Sequence, residues 1–227
     1  MRIRFWSILV LLILLISTAS AGAKPVGPVI PSLTHPLVEE SESIFSLLTV
    51  TAYQHTTVMD DTTGTYLCDC SGYINTLLER SRPDAYHEIE ALRERPTTKE
   101  YYAFFLTLKT RVTSRSSFTR VTDARNLYPG DIVVWRDETD GTGHVGLVLS
   151  PPTPNPSRKG ELLIRIADST LSPHADDTRT AGTTGIGSGV IGIQIDTRGN
   201  PIGMYWRGGV SGTLQAVDIA VGRLGLE

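Results

Sequence analysis

Asn126–Trp135, NLYPGDIVVW, is where the chain changes its pattern. Upstream of it, apolar residues recur at three- and four-residue spacing. Downstream come short β-branched runs broken by Gly, Pro and Asn. Working back from this point, DAYHEIEALRER and TKEYYAFFLTLKTRV read as two helices split by Pro96. Residues 70–80 form another, with Tyr73, Ile74, Leu77 and Leu78 on one face. LVEESESIFSLLTVTAYQ, from Leu37, reads as a first helix with acidic residues early. Working forward, DIVVW, HVGLVLS, ELLIRIAD, GVIGIQID and PIGMYW read as about five antiparallel strands, with PPTPNPSRKG as a loop. Helices first and strands second predict an α+β domain, with N-terminal helices packed on the sheet. GTTGIGSGVIG lacks the Lys-Ser/Thr ending of a phosphate loop and reads as a flexible loop entering a strand.

The ends of the chain add a compartment. Arg2 and Arg4 precede an apolar run from Phe5 to Ile16 and then small residues, the plan of a secretory signal over residues 1–23. That run is shorter than the ~20 residues a spanning helix needs. Export to a periplasm or beyond is expected, with no stable membrane association after cleavage. A proline-rich lead-in over residues 24–36 precedes one domain at 37–227. A net charge of −3 and 40% hydrophobic residues argue against disorder and against nucleic-acid binding through a basic surface.

The chain has two cysteines, one residue apart, in YLCDCSGYI. A Cys68–Cys70 disulfide would close a strained ring. A zinc site needs about four ligands, and no second cysteine pair exists. No cofactor and no metal are expected. A reversible bridge that guards a nucleophile stays open, and the nucleophile itself is read from the position of Cys70. Cys70 stands at the first turn of a helix with Asp69 as N-cap, where unpaired N–H groups and the positive helix end favour thiolate. Gly72 leaves the approach to the sulfur open. Such a nucleophile needs a base. His144 opens a strand between small residues, and Asp168 ends the next long apolar run, so adjacent strands would bring the carboxylate beside the imidazole. Taken alone, His144 reads better as a strand cap than as a base, and Asp168–Ser169 could simply end a strand as a turn. His174, in SPHADD close after Asp168, could support the site or hold a weak cation with Asp176 and Asp177, but reads first as a solvated loop residue, and Trp135 and Trp206 read as core or rim aromatics.

Asp69-Cys70-Ser71-Gly72-Tyr73, then Gly130-Asp131-Ile132, then His144-Val145-Gly146 resemble, in that order, the NlpC-type cysteine peptidases of bacterial cell walls. The resemblance spans roughly Tyr53 to Asp168. It implies a papain-like core and a Cys70–His144–Asp168 triad, with Tyr53 or Tyr66 as the tyrosine lining the site and Ser71 beside the oxyanion. It also implies hydrolysis of amide bonds in peptidoglycan stem peptides. The family's third polar residue is often histidine, where this chain offers Asp168. The segment between Cys70 and His144 is long for the family, and about sixty residues follow Asp168. A non-catalytic wall-binding module, an acyltransferase and a thiol–disulfide protein using both cysteines are the competing readings.

Overall fold

A computed structural model describes residues 35–111, 116–137, 139, 141–210 and 212–225. The expected signal peptide and nearly all of the lead-in lie outside the described residues.

Helix α1 spans Pro36–Leu47, capped by His35, whose Nδ1 accepts the Leu37 N–H. Strands β1 (Val50–Ala52), β2 (Val58–Asp60) and β3 (Thr65–Leu67) form a small sheet in the order β1-β3-β2. Helices α2 (Cys70–Ser81), α3 (Pro83–Glu90) and α4 (Thr98–Thr107) follow. Strand β4 (Phe118–Arg120) precedes β5 (Ile132–Arg136), β6 (Gly143–Val148), β7 (Thr153–Pro154) and β8 (Glu161–Thr170). The last three are β9 (Gly185–Ile195), β10 (Pro201–Tyr205) and β11 (Asp218–Leu224). All but the first three strands join one antiparallel sheet in the order β10-β9-β8-β6-β5-β11-β4, with β7 paired to β8.

This corrects the expected architecture. The described chain is mostly β, with an eight-stranded sheet and a second three-stranded one, and not helices packed on a papain-like sheet of about five strands. Three causes are visible. The run read as one helix from Leu37 ends at Leu47, and the β-branched TVTA beyond it pairs with β3. The glycine-rich run read as a flexible loop entering a strand at Gly189 is already strand from Gly185, which makes β9 11 residues long. Strand β11, inserted between β5 and β4, lies in the C-terminal stretch.

Two apolar cores flank the sheet. One gathers Leu37, Tyr73, Ile74, Leu77 and Leu78 from the helices against Val134, Val145, Leu147 and Ala167. The other holds Val133, Trp135, Val148, Ile164, Ile166, Ile191, Met204 and Val221. Val133 and Val134 alternate between the two, as the period-2 pleat requires. The sheet curls until β10 meets β11, where Met204 bridges Gln215.

Helix α2 is a central helix rather than a surface one: every residue from Cys70 to Leu78 is buried. Its apolar side chains each contribute about 1.5–3 kcal/mol by leaving water. Its polar groups are paired. Tyr73 Oη bonds Ser41 Oγ at 2.7 Å, and Asn75 donates to the Pro96 carbonyl and accepts from Tyr101 Oη. The start of α2 is thereby fixed against β6 and β8.

Candidate active site

The site begins with Asp69. Its Oδ1 accepts the Gly72 N–H at 2.7 Å and the Ser71 hydroxyl at 2.9 Å, and its carbonyl accepts the Tyr73 N–H. Arg95 and His55 bond the same carboxylate. Burial works against the Asp69 charge, but the Gly72 N–H and Arg95 outweigh it and hold the carboxyl below its ordinary range. A firmly ionised N-cap fixes the first turn. The N–H groups of Cys70 and Ser71 then stand at the helix start with no intrahelical carbonyl to bond. A Cβ on Gly72 would come within 2.5 Å of Thr57 Oγ1, so this position admits glycine alone without rearrangement.

The two cysteines are free and differ sharply. Cys68 is fully buried, and burial pushes its thiol up to about 12. Cys70 is 5% exposed and lies near enough to His144 to act on its charge. Burial alone would lower the His144 imidazole, but the charge on Cys70 and the bond to Asp168 raise it to about 10.

His144 comes from β6 and Asp168 from β8. The pairing Leu147↔Ala167, continued along the strands, puts both on the face opposite those two residues, diagonal to one another. His144 Nε2 lies 2.6 Å from Asp168 Oδ2, which leaves Nδ1 as the nitrogen for Cys70. Sequence reasoning put Cys70, His144 and Asp168 at one site; the structure bonds His144 to Asp168, and Cys70 lies near enough to shift the imidazole.

Asp168 has more partners than the pattern suggested. His174 Nε2 lies 2.7 Å from the same Oδ2, and Arg179 donates to Oδ1 at 2.8 Å. The carboxylate is fully buried. Burial opposes its charge, but His174, His144 and Arg179 hold it far below the usual carboxylate range. His174 is 2% exposed, so the expected solvated loop residue is a buried one. Its loop folds back over β9, pairing Ala175 with Val190. Glycines make room for it: a Cβ on Gly187 would meet Arg179 at 2.6 Å, and one on Gly189 would meet Asp177 at 2.6 Å. The alternate glycines at 185, 187 and 189, together with a charged loop just upstream, were the signal for this packing.

His144, Asp168 and His174 offer ligand-type atoms within 4.8 Å of one another, a spacing a small cation spans. The contacts of 2.6 and 2.7 Å are hydrogen-bond lengths, and a cation there would have to replace both shared protons.

A cleft of about 460 Å³ opens beside the imidazole, walled by Tyr53, Trp135, Leu171 and Trp206 and by Gln215 to Val217. The Trp135 and Trp206 rings lie 4.9 and 5.2 Å from that of His144. The C-terminal extension therefore builds one wall of the cleft. Burial, with the charge of Cys70 next, pushes the Tyr53 hydroxyl up to about 12, so Tyr53 is a neutral donor on the cleft wall. Tyr66 is placed elsewhere: its ring is fully buried and its hydroxyl donates to Asp61 at 2.9 Å. The Ser71 hydroxyl is committed to Asp69, so what Ser71 offers a substrate is its backbone N–H. Gly130 and Asp131 serve structure. Gly130, at φ +98°, sits flat against the His35 ring, and Asp131 binds Arg223 of β11 through two bonds of 2.8 Å.

No family model matches the chain, and no solved structure matches it significantly. The chain is similar to an uncharacterized protein, R653, of Acanthamoeba polyphaga mimivirus. The two are 28% identical over 187 aligned residues, with 69% of this chain and 78% of that protein covered.

Proposed function

We propose that this chain is an exported cysteine hydrolase of amide bonds. The observation that supports the reading is that Cys70, at the start of a buried helix, acts on the charge of an imidazole that a buried carboxylate holds at 2.6 Å. A non-catalytic module of the same sequence pattern would have no need to hold the two side chains so near one another.

The geometry supports the following steps. The Cys70 thiolate attacks the amide carbonyl carbon while the His144 imidazolium stands beside it. The carbonyl electron pair moves to oxygen, where the N–H groups of Cys70 and Ser71 and the Tyr53 hydroxyl are available donors. As the C–N bond breaks, His144 gives its proton to the departing amine, leaving a thioester on Cys70. Water then attacks the thioester carbon. His144 takes a proton from that water, and the carboxylic acid product and the thiolate separate. Asp168 accepts the His144 Nε2–H throughout and so keeps Nδ1 turned to the sulfur. The whole exchange needs only protons and water.

The substrate class rests on the resemblance of the Asp69–Tyr73, Gly130–Ile132 and His144–Gly146 motifs to the NlpC-type peptidases, and on the N-terminal export pattern. We propose peptidoglycan stem peptides as substrate, met in a periplasm or outside a cell. The test is digestion of purified peptidoglycan by the protein and by Cys70→Ala, with mass analysis of the soluble fragments. New fragments released by the first and absent with the second are expected. No fragments from either would overturn the substrate assignment.

A further inference from the structure

Among the buried polar groups near the site, one histidine has no part in the steps above. The His174 side chain is fully buried between two acceptors. Its Nε2 lies 2.7 Å from Asp168 Oδ2 and its Nδ1 lies 2.9 Å from the Trp206 carbonyl oxygen. A carbonyl oxygen only accepts. An ionised carboxylate only accepts as well, and Asp168 already receives protons from His144 and Arg179. A neutral imidazole has one bare nitrogen, which here would face a lone pair on one side or the other. Two buried acceptors are satisfied together only by a ring with both nitrogens protonated.

The rest of the loop is built to hold that ring. The His174 backbone N–H donates to Asp177 Oδ2 at 2.7 Å, and Arg179 donates to Asp177, to Asp168 and to the Gly185 carbonyl. On its other side, Trp206 lies 4.3 Å from His174, ring to ring, and its indole N–H donates to the Ser172 carbonyl at 3.2 Å. Trp206 also walls the cleft. Charges alternate across the cluster: Asp177, Arg179, Asp168 and then the imidazole pair.

We infer that His174 is a positioning residue of this site, a doubly protonated ring that ties the carboxylate orienting His144 to the tryptophan that walls the cleft. The inference rests on the hydrolase reading for its consequence, but its geometry stands apart from any substrate. The ring does two things. It holds Asp168 Oδ2 where the His144 Nε2–H must point, and it fixes the Trp206 backbone. A change at the cleft wall is thereby felt at the base through one side chain. The histidine reaches no reacting atom, so its removal acts through His144.

The test uses the full-length chain labelled with ¹⁵N-histidine. Two-bond ¹H–¹⁵N correlation spectra distinguish a doubly protonated ring from either neutral tautomer. In the pH range where Cys70 is alkylated, the expected spectrum shows both His174 nitrogens protonated. In His174→Gln, the His144 Nε2–H resonance should move, and alkylation of Cys70 by iodoacetamide should slow by about tenfold, by analogy with the low end of losses when a hydrogen-bonded partner of a metal-binding histidine is removed. A bare nitrogen on His174 in the folded wild-type protein overturns the inference, as does an unchanged His144 resonance in folded His174→Gln. These spectra need no substrate. Failure to digest peptidoglycan would therefore leave them standing, and their failure would leave the Cys70–His144 reading to its own tests.

Discussion

Replacing Asp168 by Asn changes one oxygen to an amide nitrogen and removes one buried charge. Three donors converge on this carboxylate, from His144 at 2.6 Å, His174 at 2.7 Å and Arg179 at 2.8 Å. An asparagine has one accepting oxygen. Turned toward the histidines, it sets its NH₂ against the Arg179 guanidinium. Turned the other way, it sets its NH₂ against two imidazole N–H groups. Either orientation leaves a buried donor facing a donor and a buried cation without its counter-charge. Breaking a buried pair by losing one partner costs about 3–5 kcal/mol. For a chain of this size each kcal/mol shifts the melting temperature by about 2–4 °C, so Asp168→Asn should melt roughly 6–20 °C lower. Because His144 also loses the acceptor that sets its tautomer, hydrolysis should fall on the order of 10²–10⁴-fold, beyond what partial unfolding explains at a temperature where the variant is folded. Thermal melts followed by circular dichroism measure the first, release of peptidoglycan fragments below the transition measures the second, and Cys70 alkylation rates report the imidazole's hold on the thiol. A melt within about 3 °C of wild type, with alkylation unchanged, would refute the network described here.

The free cysteines and the raised imidazole give two further expectations. Cys68→Ala should keep full hydrolytic activity and lose about 1 kcal/mol from the small cavity it leaves, read by denaturant titration; loss of activity in a folded Cys68→Ala would instead favour thiol–disulfide chemistry. His144 is held at about 10 against an ordinary value of 6.5, so the folded state binds the extra proton between those limits. Stability from this group is therefore complete below about pH 6.5 and is lost as pH rises toward 10, at no more than about 1.4 kcal/mol per pH unit, and His144→Gln should flatten that slope in chemical denaturation series.

How far the sequence could be read depends on the range of the interaction. Local rules worked where partners lie within a few residues. Asp69 caps a helix that starts at Cys70, as its position before a helical run predicts. Strands β5, β6, β8, β9 and β10 all lie where alternating and β-branched runs place them. The pairing of His144 with Asp168 was legible because the two runs that carry them read as adjacent strands. What was not legible came from distant packing. Val50–Ala52 becomes a strand because β3 offers it an edge, which no window around it encodes. The glycines of β9 look like loop residues until the 174–179 segment is laid across them and needs the space their missing side chains leave. His174 reads as solvated in its loop and becomes buried when that loop is folded over the strand. Trp206 reaches the cleft only because the sheet curls to bring β10 against β11.

The pairing of Cys70 with His144 is tested most directly by counting which thiol reacts. Iodoacetamide is applied near neutral pH to the wild-type protein and to His144→Ala, and modification at each cysteine is followed by peptide mass spectrometry. Rapid alkylation of Cys70, none of the fully buried Cys68, and a large loss of the Cys70 rate in His144→Ala are predicted. Equal modification of the two thiols, or a Cys70 rate indifferent to His144, would contradict it.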